Sequence, residues 1–409
     1  MRVLWISNII LPPICKKIGV SEPATGCWMY SSAKRIADSN IELAVASTYN
    51  GKDLIEETID GIKYFLLPLN GKDNTKYNKS LEPYWQQVKE KFNPNIIHIH
   101  GTEFAHGLAY INACGTDNVI VSIQGLTSII SKYYLTDIKV SEIIKNITIR
   151  DILRQDTLFQ QKKKFNQRGE IEIKIIQSVG HIIGRTEWDK AHTWAINPNA
   201  QYHFCGETLR NSFYRKAKTW DFDKCEKQSI FLSQGYYPIK GLHKVIQALA
   251  IILRHYPETK LYVAGDDFVN KPFYRLCGYG KYTKDLLLKY NLSGKVIFTG
   301  ALNEETMCQR YLKSNIFICP SIVENGSNAL AEARILGVPY LASFAGGMPD
   351  MGVPMENFYQ FEEVEMLARK VCSIFEKGQQ AFCGETVTKY SPEENRLQLL
   401  QIYNNITNK

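Results

Sequence analysis

The chain has 409 residues, with 49 basic against 41 acidic side chains, a formal net charge of +8, and 44% hydrophobic residues. At roughly 100–200 residues per domain this length calls for two domains, and the composition excludes a disordered chain or a fibre. The mild positive balance suits anionic ligands or an anionic membrane surface and does not indicate a nucleic-acid protein.

Short apolar runs bounded by Gly, Pro, Asn or Asp recur along the first half: RVLWI from Arg2, ELAVAS from Glu42, KYFLLP from Lys63, NIIHIH from Asn95 and NVIVSIQ from Asn118. Runs of this kind, with helical stretches between them, predict buried parallel strands in right-handed βαβ units. After a polar, locally basic stretch from about Asp137 to Lys174 come HIIGRT from His181 and QYHFC from Gln201, read as the last strands of the same domain. A polar and aromatic linker is expected over 211–227. The alternation then restarts with SIFLSQ from Ser229, KLYVAG from Lys260, KVIFTG from Lys295, IFICPS from Ile316 and PYLAS from Pro339. SPEENRLQLLQIYNNI from Ser391 reads as a terminal helix with a Ser N-cap and Pro in its first turn. The expected architecture is α/β, two Rossmann-like doubly wound domains facing across a cleft: 1–210, 228–390, and a helix over 391–409 packing back toward the first domain. Open sheets of this type bind ligands at the carboxyl ends of their strands.

Ten cysteines, among them Cys15, Cys114, Cys205, Cys319 and Cys372, show no C-x-x-C pair and no zinc-type spacing. Several stand in apolar runs, which points to a reducing compartment. No signal-peptide pattern and no run of membrane-spanning length is present, so a cytoplasmic protein is expected.

The most informative window is CPSIVENGSNALAEARILGVPYLAS from Cys319. A buried strand ends at Pro320, a Gly- and Asn-containing turn follows, and a helix opens near Asn328, which presents backbone N–H groups and a positive dipole end to a diphosphate. Glu324 and Glu332 fit hydroxyl groups of a sugar and a ribose better than phosphates, since carboxylates repel anions. Taken alone, Glu324 reads as a solvated loop residue and Glu332 as a helix former. In FLSQGYYPIKGLHKVIQAL from Phe231, Lys240 stands at a helix start where it can offset phosphate charge, or simply be a surface lysine.

These windows resemble the retaining glycosyltransferases of family four, which have the GT-B fold: a Pro-Ser strand end, Glu, a Gly-containing turn, a second Glu, then a Gly-x-Pro strand start. GGMPD from Gly346 resembles the family's Gly-Gly-x-Pro-Glu, and the wording ENGSNALAEA looks like the branch making bacterial capsular or exopolysaccharide. The resemblance implies that Glu324 contacts the transferred sugar, that Glu332 binds ribose, and that amides of Asn325, Gly326, Ser327 and Asn328 meet the phosphates. Lys240 would bind the diphosphate and help it leave. The family's arginine five positions before that lysine is replaced by Gly235, so an arginine from elsewhere, such as Arg275, is a candidate substitute; Gln234 lies beside it. Gly26 in PPICKKIGVSEPATGCWMY resembles the family's N-terminal glycine loop, although a turn glycine is an equal reading. In NIIHIHGTEF, His100, Gly101 and Glu103 would reach the cleft, while His98 reads equally as a core histidine. Gln124 stands where the family often has a histidine facing the sugar; its amide can bind a hydroxyl but cannot act as a base.

The resemblance further implies retention through front-face attack, with the leaving diphosphate taking the acceptor proton. The donor would be a UDP- or GDP-sugar, the acceptor a glycan or lipid-linked sugar, with no cofactor and no metal. Asp221-Phe222-Asp223 imitates a metal-binding D-x-D but lies in the linker and is read as a solvated turn, as is Asp266-Asp267. Two rivals stay open: a nucleotide-sugar epimerase, and a catalytically silent subunit of a polysaccharide assembly complex. Lys162 to Lys164 with Arg168 suggest a peripheral membrane contact of the first domain, or only a solvated helix face.

Overall fold

A computed structural model describes residues 1–21, 27–381 and 391–407; Gly26 lies outside the described residues. The chain divides into two compact units, each built on one twisted sheet.

Unit 1 takes Met1–Ile129, Phe165–Arg210 and the helix Pro392–Thr407. Its strands are β1 (Arg2–Ser7), β2 (Glu42–Tyr49), β3 (Ile55–Ile59), β4 (Ile62–Pro68), β5 (Ile96–His100), β6 (Val119–Ser122), β7 (His181–Gly184) and β8 (Gln201–Phe204), in the order β3-β4-β2-β1-β5-β6-β7-β8. Val3, Leu4, Trp5 and Ile6 are fully buried. Such continuous burial marks a strand covered on both faces, and β1 pairs in parallel with β2 and β5. One hairpin departs from the expected parallel pattern. β3 and β4 run antiparallel about Asp60 (φ 52°) and Gly61 (φ 77°), the pair of positive φ values that a tight two-residue hairpin turn demands.

The C-terminal helix opens on Ser391, whose hydroxyl accepts from the Glu394 N–H at 3.3 Å. It delivers Tyr403 into the core of unit 1. There the phenol oxygen accepts from Trp5 Nε1–H at 2.9 Å and lies 2.6 Å from His98 Nδ1, while the other ring nitrogen of His98 bonds the Ser122 hydroxyl. His98 is thus a core histidine, and its burial holds its pKa well below the ordinary value.

Unit 2 takes Ile130–Lys164 and the described residues from Asn211 to Ala381. Its strands are β9 (Glu226–Leu232), β10 (Lys260–Val263), β11 (Val296–Phe298), β12 (Ser314–Cys319), β13 (Tyr340–Ser343) and β14 (Phe358–Tyr359), all parallel, in the order β11-β10-β9-β12-β13-β14. The order reverses between β9 and β12. The expected linker 211–227 is instead packed onto this unit: it holds the helix Asn211–Arg215, and the buried Trp220 donates its Nε1–H to the Ser314 carbonyl at 2.8 Å. The 130–164 segment, read above as part of the first domain, also belongs here. Asp137 pairs with the buried Lys244, and Asp151 accepts from the Gly278 N–H at 2.7 Å. The chain passes from this unit into unit 1 within the helix Leu158–Ser178. No helix among the described residues is long and apolar enough to cross a membrane.

Tyr403→Phe strips the buried Trp5 N–H and the His98 ring of a partner. It is expected to cost about 1–3 kcal/mol, the usual penalty for a buried polar group left unsatisfied. Urea denaturation followed by tryptophan fluorescence measures it.

Candidate functional site

The reversal between β9 and β12 makes the carboxyl ends of these two strands the natural binding position of the unit 2 sheet. The chain leaves β9 through a short 3₁₀ turn, Pro238–Lys240, closed by Gly241 at φ 70°. It leaves β12 through Pro320 and Ser321. The two exits are laced together: the Ile322 N–H donates to the Ile239 carbonyl at 3.0 Å, and a Cβ on Gly241 would fall 2.0 Å from the Pro320 oxygen. This contact places Lys240 Nζ 2.8 Å from Glu324 Oε2, with side chains only 18% and 20% exposed. Burial alone would lower the lysine pKa, but the adjoining carboxylate reverses that, and Lys240 is held above its ordinary value as an ammonium ion.

A second glycine fixes the other side of Glu324. Gly346 has φ 55°, and a Cβ there would lie 2.0 Å from the Glu324 carbonyl oxygen, which accepts from the Gly347 N–H at 2.9 Å. The GGMPD segment is therefore a backbone clamp on the loop that carries Glu324. Beyond it, Asn325 is buried and Ser327 caps the helix Asn328–Leu336, its hydroxyl accepting from the Leu330 N–H at 3.2 Å. Gly326 and Asn328 are half-buried in the same turn, and Glu332 is buried in the helix that follows. Arg334, also buried, donates to the carbonyls of Met351 and Gly352 at 2.6 and 2.9 Å, tying this helix to the turn after the clamp. Lys240, Glu324 and the Asn325–Asn328 turn are thus brought to one edge of one sheet.

Gly235 is buried, and a Cβ there would meet Leu242 at 2.8 Å and Val263 at 3.0 Å. A larger side chain has no room without displacing that packing, a physical reason why no arginine stands here. Gln234 is exposed. Arg275 lines a cavity of about 360 Å³ with Arg150, Arg154, Tyr236, Asp266 and Lys271. The D-x-D aspartates pair with lysines of their own turn, Asp221 with Lys224 at 2.9 Å and Asp223 with Lys227 at 3.8 Å. Asp266 pairs with Lys271 at 2.7 Å, and Asp267 caps a turn by accepting from the N–H groups of Val269 and Asn270.

Within unit 1, His100 and Gln124 line a cavity of about 50 Å³ at the carboxyl ends of β5 and β6, together with Arg185 and Glu207. Arg185 pairs with Glu207 and donates from Nη2 to the Gln124 carbonyl at 3.3 Å. Neither residue was singled out from the sequence; the available signal was a charged residue directly after the buried run HIIG. Burial, with His106 nearby, holds the His100 pKa to about 3, so the ring is neutral. Gly101, at φ 82°, leaves space beside Glu103: a Cβ would lie 2.3 Å from the Glu103 carboxylate, which accepts from the Gly125 N–H at 3.0 Å. Burial pushes the Glu103 pKa up to about 7.

Residues 214–388 match the family model described as glycosyl transferases group 1. This match falls almost entirely within unit 2. Protein CapJ of Staphylococcus aureus is 28% identical over 141 residues, covering 34% of this chain and 33% of that protein. The curated relatives are matched over 19% to 63% of their own length. Among solved structures, sucrose-phosphate synthase from Thermosynechococcus elongatus is similar over 99% of both chains, with a TM-score of 0.70 and 16% identity. Anabaena Alr3699/HepE in complex with UDP and glucose is similar over 99% of both chains, with a TM-score of 0.64 and 14% identity. The fold of the two units is that of GT-B glycosyltransferases.

Two variants test this geometry. Gly346→Ala forces a side chain into a positive φ and onto the Glu324 carbonyl. It is expected to cost more than about 1 kcal/mol, read as a lowered melting temperature. For Glu103, the folded protein keeps a proton up to about pH 7 that the unfolded chain releases near 4.5. Stability contributed by this group therefore falls as pH rises through that interval and is level above it. Denaturation of wild type and Glu103→Gln across that interval should show the wild-type curve falling relative to the variant, and parallel curves would remove the assignment.

Proposed function

We propose that the chain transfers a sugar from a UDP- or GDP-linked donor to a glycan or lipid-linked acceptor, with retention of anomeric configuration, in surface polysaccharide synthesis. The observation that carries this reading is the Lys240–Glu324 pair at the strand reversal of unit 2. In the absence of donor each side chain neutralises the other. A diphosphate draws Lys240 onto its oxygens, supported by the helix that starts at Asn328, and frees Glu324 to accept hydrogen bonds from hydroxyl groups of the transferred sugar. Glu332, at the helix's second turn, is the ribose partner in this reading, and Gln124 binds a hydroxyl without acting as a base. The bond from the anomeric carbon to the phosphate oxygen breaks, the bond to the acceptor oxygen forms on the same face, and the departing phosphate takes the acceptor proton.

The chemistry assigned to Lys240 is electrostatic stabilisation of a leaving diphosphate, and neither a metal nor a cofactor is invoked. The partial match to CapJ supports the capsule branch, and the similar fold of Anabaena HepE, solved with UDP and glucose, supports a sugar nucleotide donor. We place the protein in the cytoplasm with a peripheral membrane contact. Arg168 does not serve that contact: its Nε–H donates to the Glu103 carbonyl at 2.6 Å and its guanidinium packs on Phe104 and Phe165. The rival reading, a silent subunit that binds donor without turnover, draws on the closed packing at Gly235.

Purified protein incubated with labelled UDP- and GDP-sugars decides between them. Slow release of nucleotide is expected for wild type, with Lys240→Ala and Glu324→Gln each lowering it by about 10²–10³-fold, as for other leaving-group stabilisers. A donor that raises the melting temperature of wild type but not of Lys240→Ala places the diphosphate on that lysine. Binding without release supports the silent subunit, and no shift with any nucleotide sugar ends the proposal.

A further inference from the structure

Two short helices of the 130–164 segment leave large apolar side chains in water. In Ile149–Leu153 the buried side chain is Asp151, 1% exposed, which receives the Gly278 N–H at 2.7 Å and an Arg150 N–H at 2.9 Å. Ile149, Ile152 and Leu153, which share the outer face, are 65%, 63% and 79% exposed. In Val140–Lys145 only Ile143 is buried, while Val140 and Ile144, one turn apart, are 60% and 58% exposed. An ordinary surface helix does the reverse. The cavity lined by Arg150 and Arg154 is bounded on its other side by a loop carrying Lys271 and Arg275, and between these Phe273 and Tyr274 stand 76% and 60% exposed. Seven large apolar side chains in water around one segment mark a surface that meets something else.

The charges say what. From Ile130 to Lys164 there are eight basic residues and four acidic, leaving +4 of the chain's total of +8. All four acids are paired locally: Asp151 with Arg150, Asp137 with Lys244, Glu142 with Lys145, and Asp156 with Arg150 and Lys164. Lys132, Lys139 and Arg154 stay exposed beside the apolar residues. Two copies of so basic a face would repel each other, whereas an anionic bilayer offers both an apolar interior and phosphate groups.

We propose that this face docks unit 2 on an anionic lipid surface, with Ile149, Ile152, Leu153 and Phe273 entering the boundary between headgroups and acyl chains, and Arg154 and Arg275 meeting lipid phosphates. The inference deepens the membrane contact included in the proposed function, but vesicle binding requires neither donor nor acceptor and so stands or falls apart from sugar transfer. Flotation of the full chain with vesicles of phosphatidylglycerol and phosphatidylcholine, and of phosphatidylcholine alone, tests it. Wild type is expected to float with the anionic vesicles at least about 10-fold better than with the neutral ones. The double variant Ile152→Ser, Leu153→Ser, with an unchanged melting temperature because both side chains are exposed, should lose that binding by at least about 10-fold. Lys139→Glu with Arg154→Glu gives a second, independent loss. Equal flotation of wild type and both variants, or no flotation of wild type, overturns the proposal. So does a wild-type dimer in sedimentation velocity that the serine variant converts to monomer, since the occupant is then a second copy.

Discussion

Everything at the carboxyl edge of the second sheet depends on one close approach, that of the β9 exit to the β12 exit. Two positions with positive φ make it possible, Gly241 against the Pro320 carbonyl and Gly346 against the Glu324 carbonyl, and at each a methyl group would overlap a backbone oxygen. Between these contacts the Glu324 loop is held from both sides, and Lys240 meets it as an ion pair in a half-buried setting. A pair in such surroundings adds little net stability, because desolvation offsets most of the attraction. In the proposed transfer its value lies in keeping a cation and an acceptor in place until an anion divides them.

Strands were legible in the sequence where burial is continuous. RVLWI, IFICPS and PYLAS carry apolar residues on both faces because helices cover both faces of a parallel sheet, and each stands in the structure as a buried strand. The hairpin strand Ile55–Ile59 was not, because IEETI alternates between exposed and half-buried positions and so lacks a continuous apolar run. The place of the 130–164 segment in unit 2 is not legible for a related reason: what holds it is a set of single polar contacts, Asp137 to Lys244 and Asp151 to the Gly278 amide, and these have no periodicity to read.

For the site, Lys240, Glu324 and the Asn325–Asn328 turn were legible because a strand end, a glycine and a helix start occur together in the sequence. The Arg185–Glu207 pair was not. Its members lie 22 residues apart on separate strand exits, and only the β7–β8 pairing brings them together. The absence of an arginine at Gly235, a departure when seen in sequence alone, has a steric cause in the packing of Leu242 and Val263.

The helix Pro392–Thr407 gives unit 1 an unusual order of events. Trp5 and Tyr403 are separated by 398 positions, yet share a hydrogen bond in the same core. During synthesis the amino-terminal sheet emerges first and waits with that part of its interior open, while the strands of unit 2 are made in full. Unit 1 is thus divided by unit 2 along the chain, and a truncation between unit 2 and Tyr403 leaves Trp5 without its partner.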